Sequence, residues 1–273
     1  MNGEYETLLS HLPLPKTIAS CAMGRLRVPV AATTYPPPWY GYPPAFIPFW
    51  SQGEGIYVGL WKHWFTERTT SFVEVYLAWP HIVVEIARTP EQFFCYATIT
   101  AIVAHDGVRP ETERFAQDAN ITNLAEIDSA TMNTGDDPGG FAAIRQFQTD
   151  TPLASVADVA RYDGWFPRVN FATSIHWWQH CCSLEVGDDV RAAWPATVPT
   201  PPWVAAPPTR QMFRDFVQAG DYRSAWLTLN SAGWPLPDAR AAIGQLAAAA
   251  GNGEFSTLAD AWLSASSGQT GGY

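Results

Sequence analysis

The chain has 273 residues, of which 47% are hydrophobic and only 15% are charged, and its formal net charge is -10. This composition excludes a disordered chain, and the length is sufficient for a sizeable core. Because an acidic surface repels phosphate backbones and attracts basic groups, we expect no direct contact with nucleic acid, and either a basic partner or a charge that serves solubility alone.

Two features bear on the cellular compartment. The four cysteines, Cys21, Cys95, Cys181 and Cys182, are too sparse for a disulfide framework in a chain of this length. The first residues lack a basic region followed by an apolar run, and seven prolines interrupt the uncharged stretch 28–53. The sequence therefore predicts a reduced, cytoplasmic protein with no signal peptide and no contact with a membrane.

The first predicted element in chain order is a short helix at residues 4–11, which ends before Pro13. Residues 26–32 alternate weakly, as a strand does. The prolines between 35 and 48 require an extended or turning backbone, because each fixes φ and removes an amide donor. Within this part of the chain, residues 43–50 are expected to contain one helical turn.

A β-meander is predicted from about residue 56 to residue 87. Residues 56–61 follow a glycine-containing turn, and residues 71–78 alternate apolar and polar side chains. Residues 81–87 are rich in β-branched side chains and come directly after a Trp-Pro turn. Consecutive runs of this kind are typical of antiparallel strands.

Glu74 and Glu85 lie on neighbouring strands of this predicted meander. Two carboxylates close together can perform acid–base chemistry. Each glutamate is flanked by apolar residues in an alternating strand, however, so a sheet face in contact with water is the simpler interpretation.

A capped helix follows the meander. Thr89 can act as N-cap, Pro90 suits the first helical position, and Gln92 completes a capping box. The helix is expected to run to about His105 and to end at Asp106 and Gly107. Three further helices are predicted at residues 110–119, 140–148 and 152–162.

The C-terminal quarter is predicted to be entirely helical. Residues 196–208 have the proline-rich composition of a stiff linker, and the last eight residues, S-S-G-Q-T-G-G-Y, are expected to be a frayed tail. Four helices are predicted at residues 209–219, 221–231, 237–249 and 255–265. The predicted fold class is α+β: a domain at 1–195 with an antiparallel sheet packed with helices, the linker, and a helical module at 209–273.

The run from His176 to Cys182, H-W-W-Q-H-C-C, is the cluster best suited to chemistry. On a helix, His176 and His180 would share one face at a spacing that zinc sites use. A complete site needs further ligands, and Trp177 stands where a His-Glu-x-x-His protease carries its glutamate. Burial of these side chains is the simpler interpretation, since cysteine is commonly buried. We predict no catalytic residue and no cofactor.

The segment 50–67 is the predicted contact surface for a protein partner. It brings aromatic, histidine and charged side chains together at the end of a strand, which is typical of the centres of interfaces. The alternative is that Trp61 and Phe65 close the core. The predicted contact residues are Trp50, Glu54, Tyr57, Trp61, His63, Trp64 and Glu67.

Two adjoining motifs carry a family resemblance. Residues 44–53, P-A-F-I-P-F-W-S-Q-G, lead from a proline to large aromatics and a glycine, and residues 55–61, G-I-Y-V-G-L-W, begin an aromatic-rich strand. Residues 43–77 thereby resemble the SMI1/KNR4 (SUKH) superfamily, in which a proline-led short helix precedes such a turn. The family's Leu-Pro start is Pro-Pro here. The resemblance implies an α+β fold with a curved sheet that binds protein partners, often an immunity protein that neutralises a polymorphic toxin.

The sequence leaves three functions open. The first is a non-enzymatic protein-binding module, an immunity protein whose acidic groups block a basic toxin such as a nuclease. The second is a metal-dependent or other hydrolytic enzyme that uses the region of His176 and His180. The third is a structural scaffold in which the linker spaces the first domain from a helical docking domain.

Overall fold

The computed structural model describes residues 2–30, 43–53, 55–62, 64–65, 70–76, 82–134, 143–148, 181–183, 200, 202–206, 209–231 and 233–273. These residues form an antiparallel sheet with helices before and after it, which confirms the α+β fold class. None of the helices in these ranges combines the length and the apolar character needed to cross a bilayer.

The strands and helices of the described residues have the following bounds. The strands are β1 (Phe46–Gly53), β2 (Ile56–Trp61), β3 (Ser71–Tyr76), β4 (Ile82–Ala87) and β5 (Cys181–Ser183). The helices are α1 (Asn2–His11), α2 (Lys16–Ala22), α3 (Pro90–His105), α4 (Pro110–Asp118), α5 (Leu124–Thr134), α6 (Pro202–Ala205), α7 (Arg210–Gln218), α8 (Tyr222–Leu229), α9 (Leu236–Ala250) and α10 (Gly253–Ser266), with a 3-10 turn at Arg145–Phe147.

The strands are paired in sequence order, β1-β2-β3-β4-β5, and every pair is antiparallel. The predicted meander is therefore confirmed, with β2 at the predicted residues. The short strand β5 adds Cys181 and Cys182 to the outer side of β4, so these two cysteines do not continue a helix.

The helical turn predicted at residues 43–50 is wrong, because residues from Phe46 onward form β1. The pairing of β1 with β2 shifts between Pro48 and Trp50. This irregularity brings two consecutive aromatic rings against Phe93 of α3, since Phe49 and Trp50 have centroids 5.9 and 5.4 Å from it. A bulge of this kind interrupts the alternation by which a strand is recognised.

Helices α1 and α2 cover β1. The Tyr5 hydroxyl of α1 donates a 2.6 Å hydrogen bond to the carbonyl of Pro48, and α2 packs directly on the strand. A proline has no amide hydrogen and is tolerated at a strand edge. The strand predicted at residues 26–32 is absent from the described part, 26–30, where the chain turns.

Helix α3 covers the face of the sheet that carries Phe72. The Phe93 ring stacks on Phe72 with centroids 4.4 Å apart. The predicted start is confirmed, because the Thr89 hydroxyl accepts from the Gln92 amide at 3.2 Å. Gln92 Oε1 accepts from the amide of Arg88 rather than from that of Thr89, so the capping box is displaced by one residue.

The two helices after α3 were only partly predicted. Helix α4 lies at the predicted residues, whereas α5 was not predicted. The helix expected at 140–148 is represented in the described residues 143–148 by the 3-10 turn alone, and the helix expected at 152–162 lies outside the described residues.

The four helices predicted after residue 209 are confirmed as α7 to α10. They belong to the same hydrophobic cluster as the sheet. Helix α1 packs on α10, and the amide of Ala45 donates a 2.7 Å hydrogen bond to Asn230 Oδ1 at the end of α8. The division into two domains stays a prediction, and these contacts give both parts one core.

Candidate functional site

The predicted contact residues do not form an exposed aromatic surface. Trp50, Trp61 and Trp64 are 2%, 1% and 5% exposed, so the exposed surface expected for them is wrong and the core alternative holds. Tyr57 is half-buried. The remaining predicted contacts, Glu54, His63 and Glu67, lie outside the described residues.

Trp64 is buried because helices from the far end of the chain pack on it. Its ring lies 5.8 Å from Trp226 of α8 at an interplanar angle of 79° and 5.9 Å from Phe255 of α10. Phe65 adds contacts to Phe255 at 5.0 Å and to Tyr222 at 5.9 Å. Trp64 and Phe65, which follow β2, therefore pack on helices α8 and α10 of the same chain.

The backbone at Phe65 is in an unusual conformation. Its φ is 65°, in the left-handed region that bulky side chains rarely adopt. That conformation costs on the order of 1–2 kcal/mol for a residue with a side chain. The ring of Phe65 packs on Phe255 and Tyr222, and these contacts offset the cost of the backbone conformation. The backbone at Phe65 therefore adopts this conformation together with the packing of residues 64–65 on α8 and α10.

Lys62 places a positive charge on this aromatic cluster. Its ammonium group lies 4.8 Å from the centre of the Trp64 ring, within the range of a cation–π contact. Burial lowers the pKa of Lys62, and the negative charge of Glu254 acts in the opposite direction.

Glu74 is the site residue that the sequence interpretation placed wrongly. A solvated face was expected, but Glu74 is 4% exposed. It pairs across the sheet with Val58 and Val84, whereas Glu85 pairs with Val73. Directly opposite residues share a face of a sheet, so the two carboxylates project from opposite faces and cannot act as an acid–base pair.

Three neutral groups donate hydrogen bonds to the Glu74 carboxylate. Gln52 Nε2 and the Tyr96 hydroxyl reach Oε1, and the Tyr76 hydroxyl reaches Oε2, all at 2.8 Å. Burial, and then the charge of Glu74, raise the pKa of Tyr96 well above its usual value. Tyr96 therefore stays protonated and acts as a donor, and the cluster ties β1, β3 and α3 together.

A signal for the burial of Glu74 exists in the sequence. Strand β3 reads S-F-V-E-V-Y, so apolar side chains project from both of its faces. A strand that is apolar on both faces is covered on both faces, and a glutamate within it needs hydrogen-bond donors. Glu85, in contrast, is half-buried and pairs with Arg88 at 2.7 Å.

A cleft of about 490 Å³ opens at the N-terminus of α3. Its walls come from the start of α2, the loop between α4 and α5, and the 3-10 turn. The lining residues are Pro15, Thr17, Thr89, Pro90, Glu91, Gln92, Phe94, Ala119, Asn120, Ile121, Arg145 and Gln146. Seven of these twelve residues are polar, so the cleft offers hydrogen-bonding groups to a ligand.

Side-chain amides fix the wall of this cleft. Gln92 is 1% exposed and its Nε2 donates to the backbone carbonyl of Gln146 at 3.0 Å. The amides of Gln146 and Asn123 exchange two hydrogen bonds, at 3.0 and 2.7 Å. A hydrogen bond from Asn123, followed by one from the Arg145 amide, lowers the pKa of Glu126. The wall is preorganised, and Glu91 remains exposed at its edge.

The residues that the structure describes offer neither a metal site nor a reactive thiol. His176 and His180 lie outside them, and within them no group of three or more His, Cys, Asp or Glu side chains could hold a metal ion. Cys21 and Cys95 are buried free thiols, and burial raises the pKa of each to about 12. Such thiols are poor nucleophiles and poor metal ligands.

Comparison of the chain with models of known protein families, with curated proteins and with solved structures finds no match.

Proposed function

We propose that the chain is a non-enzymatic protein-binding module whose partner presents a basic surface. The observation that carries this proposal is the preorganised cleft at the N-terminus of α3, which is lined by the exposed carboxylate Glu91. The net charge of -10 points in the same direction, because complementary charge steers partners together and suppresses wrong ones.

The part of the chain that forms the cleft carries more exposed carboxylates than arginines, although the cleft lining itself contains one acidic and one basic residue, Glu91 and Arg145. Within residues 88–134 and 143–148, six carboxylates are exposed against three exposed arginines. Arg145 donates to Thr122 Oγ1 at 2.6 Å, Arg109 donates to the carbonyl of His105 at the end of α3, and Arg114 donates to that of Pro110 in α4. The exposed carboxylates are Glu91, Asp106, Glu111, Glu113, Asp118 and Glu126.

This proposal moves the contact surface away from the aromatic residues of segment 50–67. Trp50, Trp61 and Trp64 are committed to the core and cannot contact a partner without disrupting it. Glu91, in contrast, is exposed and lines the cleft. A lysine or arginine of the partner would meet the Glu91 carboxylate at the mouth and the amide-lined wall behind it.

The finer form of the proposal is an immunity protein of the SMI1/KNR4 type that neutralises a basic toxin, such as a nuclease. The α+β architecture and the acidic charge support it, because acidic groups can block a basic nucleic-acid site. One feature departs from the family pattern: residues 46–53 form a strand where that pattern has a short helix.

Binding to the full-length chain tests the proposal. We expect a protein partner to be retained from the native lysate at low salt and released by high salt, since exposed charge pairs are screened. With the purified partner, Glu91→Gln should slow association several-fold at low ionic strength. The matched control is Asp260→Asn on α10, an exposed carboxylate outside the cleft.

Two results would contradict the proposal. One is that no protein is retained. The other is a partner whose association rate is the same for wild type, the Glu91→Gln variant and the α10 control. The immunity form makes one further demand: the retained partner must be a toxin, and its activity must fall on addition of the wild-type chain.

A further inference from the structure

The last residues of the sequence are bound to the fold rather than frayed. Tyr273 is 4% exposed, and residues 271–273 run antiparallel to residues 233–236, with an isolated β-bridge between Gly272 and Pro235. The expectation of a frayed tail is therefore wrong. Its run of glycine and polar residues is compatible both with a disordered end and with a segment bound along the surface of the fold, and residues 267–273 are called the strap below.

Main-chain hydrogen bonds hold the strap as an added strand would be held. The carbonyl of Tyr273 accepts from the amides of Gly233 at 2.6 Å and Trp234 at 2.9 Å. The amide of Tyr273 donates to the Trp234 carbonyl at 3.2 Å, and the Leu236 amide donates to Gly271 at 2.8 Å. Such addition of an extended peptide to an exposed backbone edge is a common mode of peptide recognition.

The Tyr273 side chain gives this contact its specificity. Its ring is buried in the same hydrophobic cluster as Trp234, and its hydroxyl donates to the Leu229 carbonyl at 2.7 Å. Burial raises the pKa of this hydroxyl well above its usual value, so it remains a donor. Phenylalanine would fill the same space but leave the carbonyl of Leu229 without this hydrogen bond.

The two glycines before the tyrosine are also required. A Cβ on Gly272 would lie 2.3 Å from the Trp234 carbonyl oxygen, and Gly271 has a φ of +99°. Neither position accepts a larger residue without strain. The groove therefore reads three consecutive residues, Gly-Gly-Tyr.

Residues 267–272 between α10 and Tyr273 are exposed. Gly268 has a φ of +75° and Gly271 one of +99°, so two glycines act as joints. Arg240 donates to the carbonyls of Ser266 at 2.8 Å and Gln269 at 3.3 Å near the first joint. Residues 267–272 are therefore exposed, and the segment is held by its main-chain hydrogen bonds with residues 233–236 and by the buried Tyr273 ring.

We propose that Leu229, Gly233, Trp234 and Leu236 form a peptide-recognition groove specific for Gly-Gly-Tyr, and that the chain's own residues 271–273 are an exchangeable occupant. When the strap lifts, an extended peptide with the same three residues, including the strap of a second copy, takes its place. The groove uses residues other than those of the α3 cleft, so failure of either proposal leaves the other standing.

The full-length Tyr273→Ala variant tests the groove through hydrogen exchange of the Gly233, Trp234 and Leu236 amides. We expect these amides to exchange at least about tenfold faster than in wild type, the factor that corresponds to a loss of ~1.4 kcal/mol of protection. Adding the synthetic peptide S-S-G-Q-T-G-G-Y to the variant should restore their protection. Wild type should bind the same peptide more weakly, because its own strap occupies the groove.

Matched peptides separate recognition from nonspecific binding. A peptide ending in Gly-Ala-Tyr should not restore protection, and one ending in Gly-Gly-Phe should restore it only in part. If circular dichroism shows that Tyr273→Ala does not fold, the Tyr273→Phe variant carries the same measurement. Unchanged exchange in a folded variant, or equal rescue by the Gly-Ala-Tyr peptide, would overturn the proposal.

Discussion

Gly59→Ala is the sharpest test of how β1 and β2 meet. A Cβ at Gly59 would lie 2.2 Å from the Ile47 carbonyl oxygen, 2.9 Å from Pro48 Cα and 2.8 Å from the Phe46 ring. Two of these three atoms belong to the backbone of β1, so no side-chain rotation relieves the contact. The strands must separate by most of an ångström, and their pairing must weaken.

Overpacking a tight interior costs typically about 1–3 kcal/mol, and more where backbone must move. We therefore expect Gly59→Ala to lower the free energy of unfolding by at least about 3 kcal/mol. For a chain of this size each kcal/mol corresponds to roughly 2–4 °C in Tm, so Tm should fall by about 6–12 °C. Urea denaturation followed by circular dichroism measures the free energy, and a thermal scan measures Tm.

Gly244→Ala provides the matched control. Gly244 lies inside α9 with no atom within 4 Å of its ideal Cβ position. Alanine there removes the conformational cost of a helical glycine, so Tm should rise slightly, for a gain of about 1 kcal/mol. The reasoning fails if Gly59→Ala is as stable as wild type, or if both variants change Tm in the same direction.

Three further predictions concern the core. Trp64→Ala should lower the free energy of unfolding by about 3–5 kcal/mol in urea, because its ring is buried against α8 and α10; unchanged stability would return Trp64 to a contact surface. Glu74→Gln should cost about 1–3 kcal/mol in the same assay, since an amide donor then faces hydroxyl donors; equal stability would refute the described network. With a pKa of about 12, Cys21 and Cys95 should be thiolate in only about one molecule in 10⁴ at pH 8. Mass spectrometry should find them unlabelled by a thiol reagent when folded and labelled in guanidinium; labelling of the native chain would contradict their burial.

The sequence was sufficient to predict the elements whose ends are marked by adjacent residues. Helix α3 begins with a capping threonine and a proline and ends at a left-handed residue, all of which can be read from adjacent residues. Strand β1 could not be read in this way. Its bulge puts Phe49 and Trp50 on one side, and Pro48 within it, together with the prolines at 43 and 44 just before it, suggested a turn.

The candidate sites depend on contacts that are distant in sequence. Trp64 looked like an interface residue because tryptophan at a strand end is ambiguous. What buries it is Trp226 and Phe255, more than 160 positions away, and no local pattern encodes such a contact. The network of Glu74 similarly needs Tyr96 from a different element. The burial of Glu74 itself was readable, since Phe72 and Tyr76, two positions away on the same face of β3, are aromatic.

The contact between Tyr5 and Pro48 also bears on aggregation. Strand β1 begins F-I-P-F-W, without a charge, and it lies at the end of the described strand order. An uncovered edge of this composition would recruit strands from other molecules. Helices α1 and α2, together with the proline, block that edge. Partial melting of α1 should therefore trigger self-association while β2 to β4 are still paired, so aggregation would report the state of α1 before it reports unfolding of the sheet.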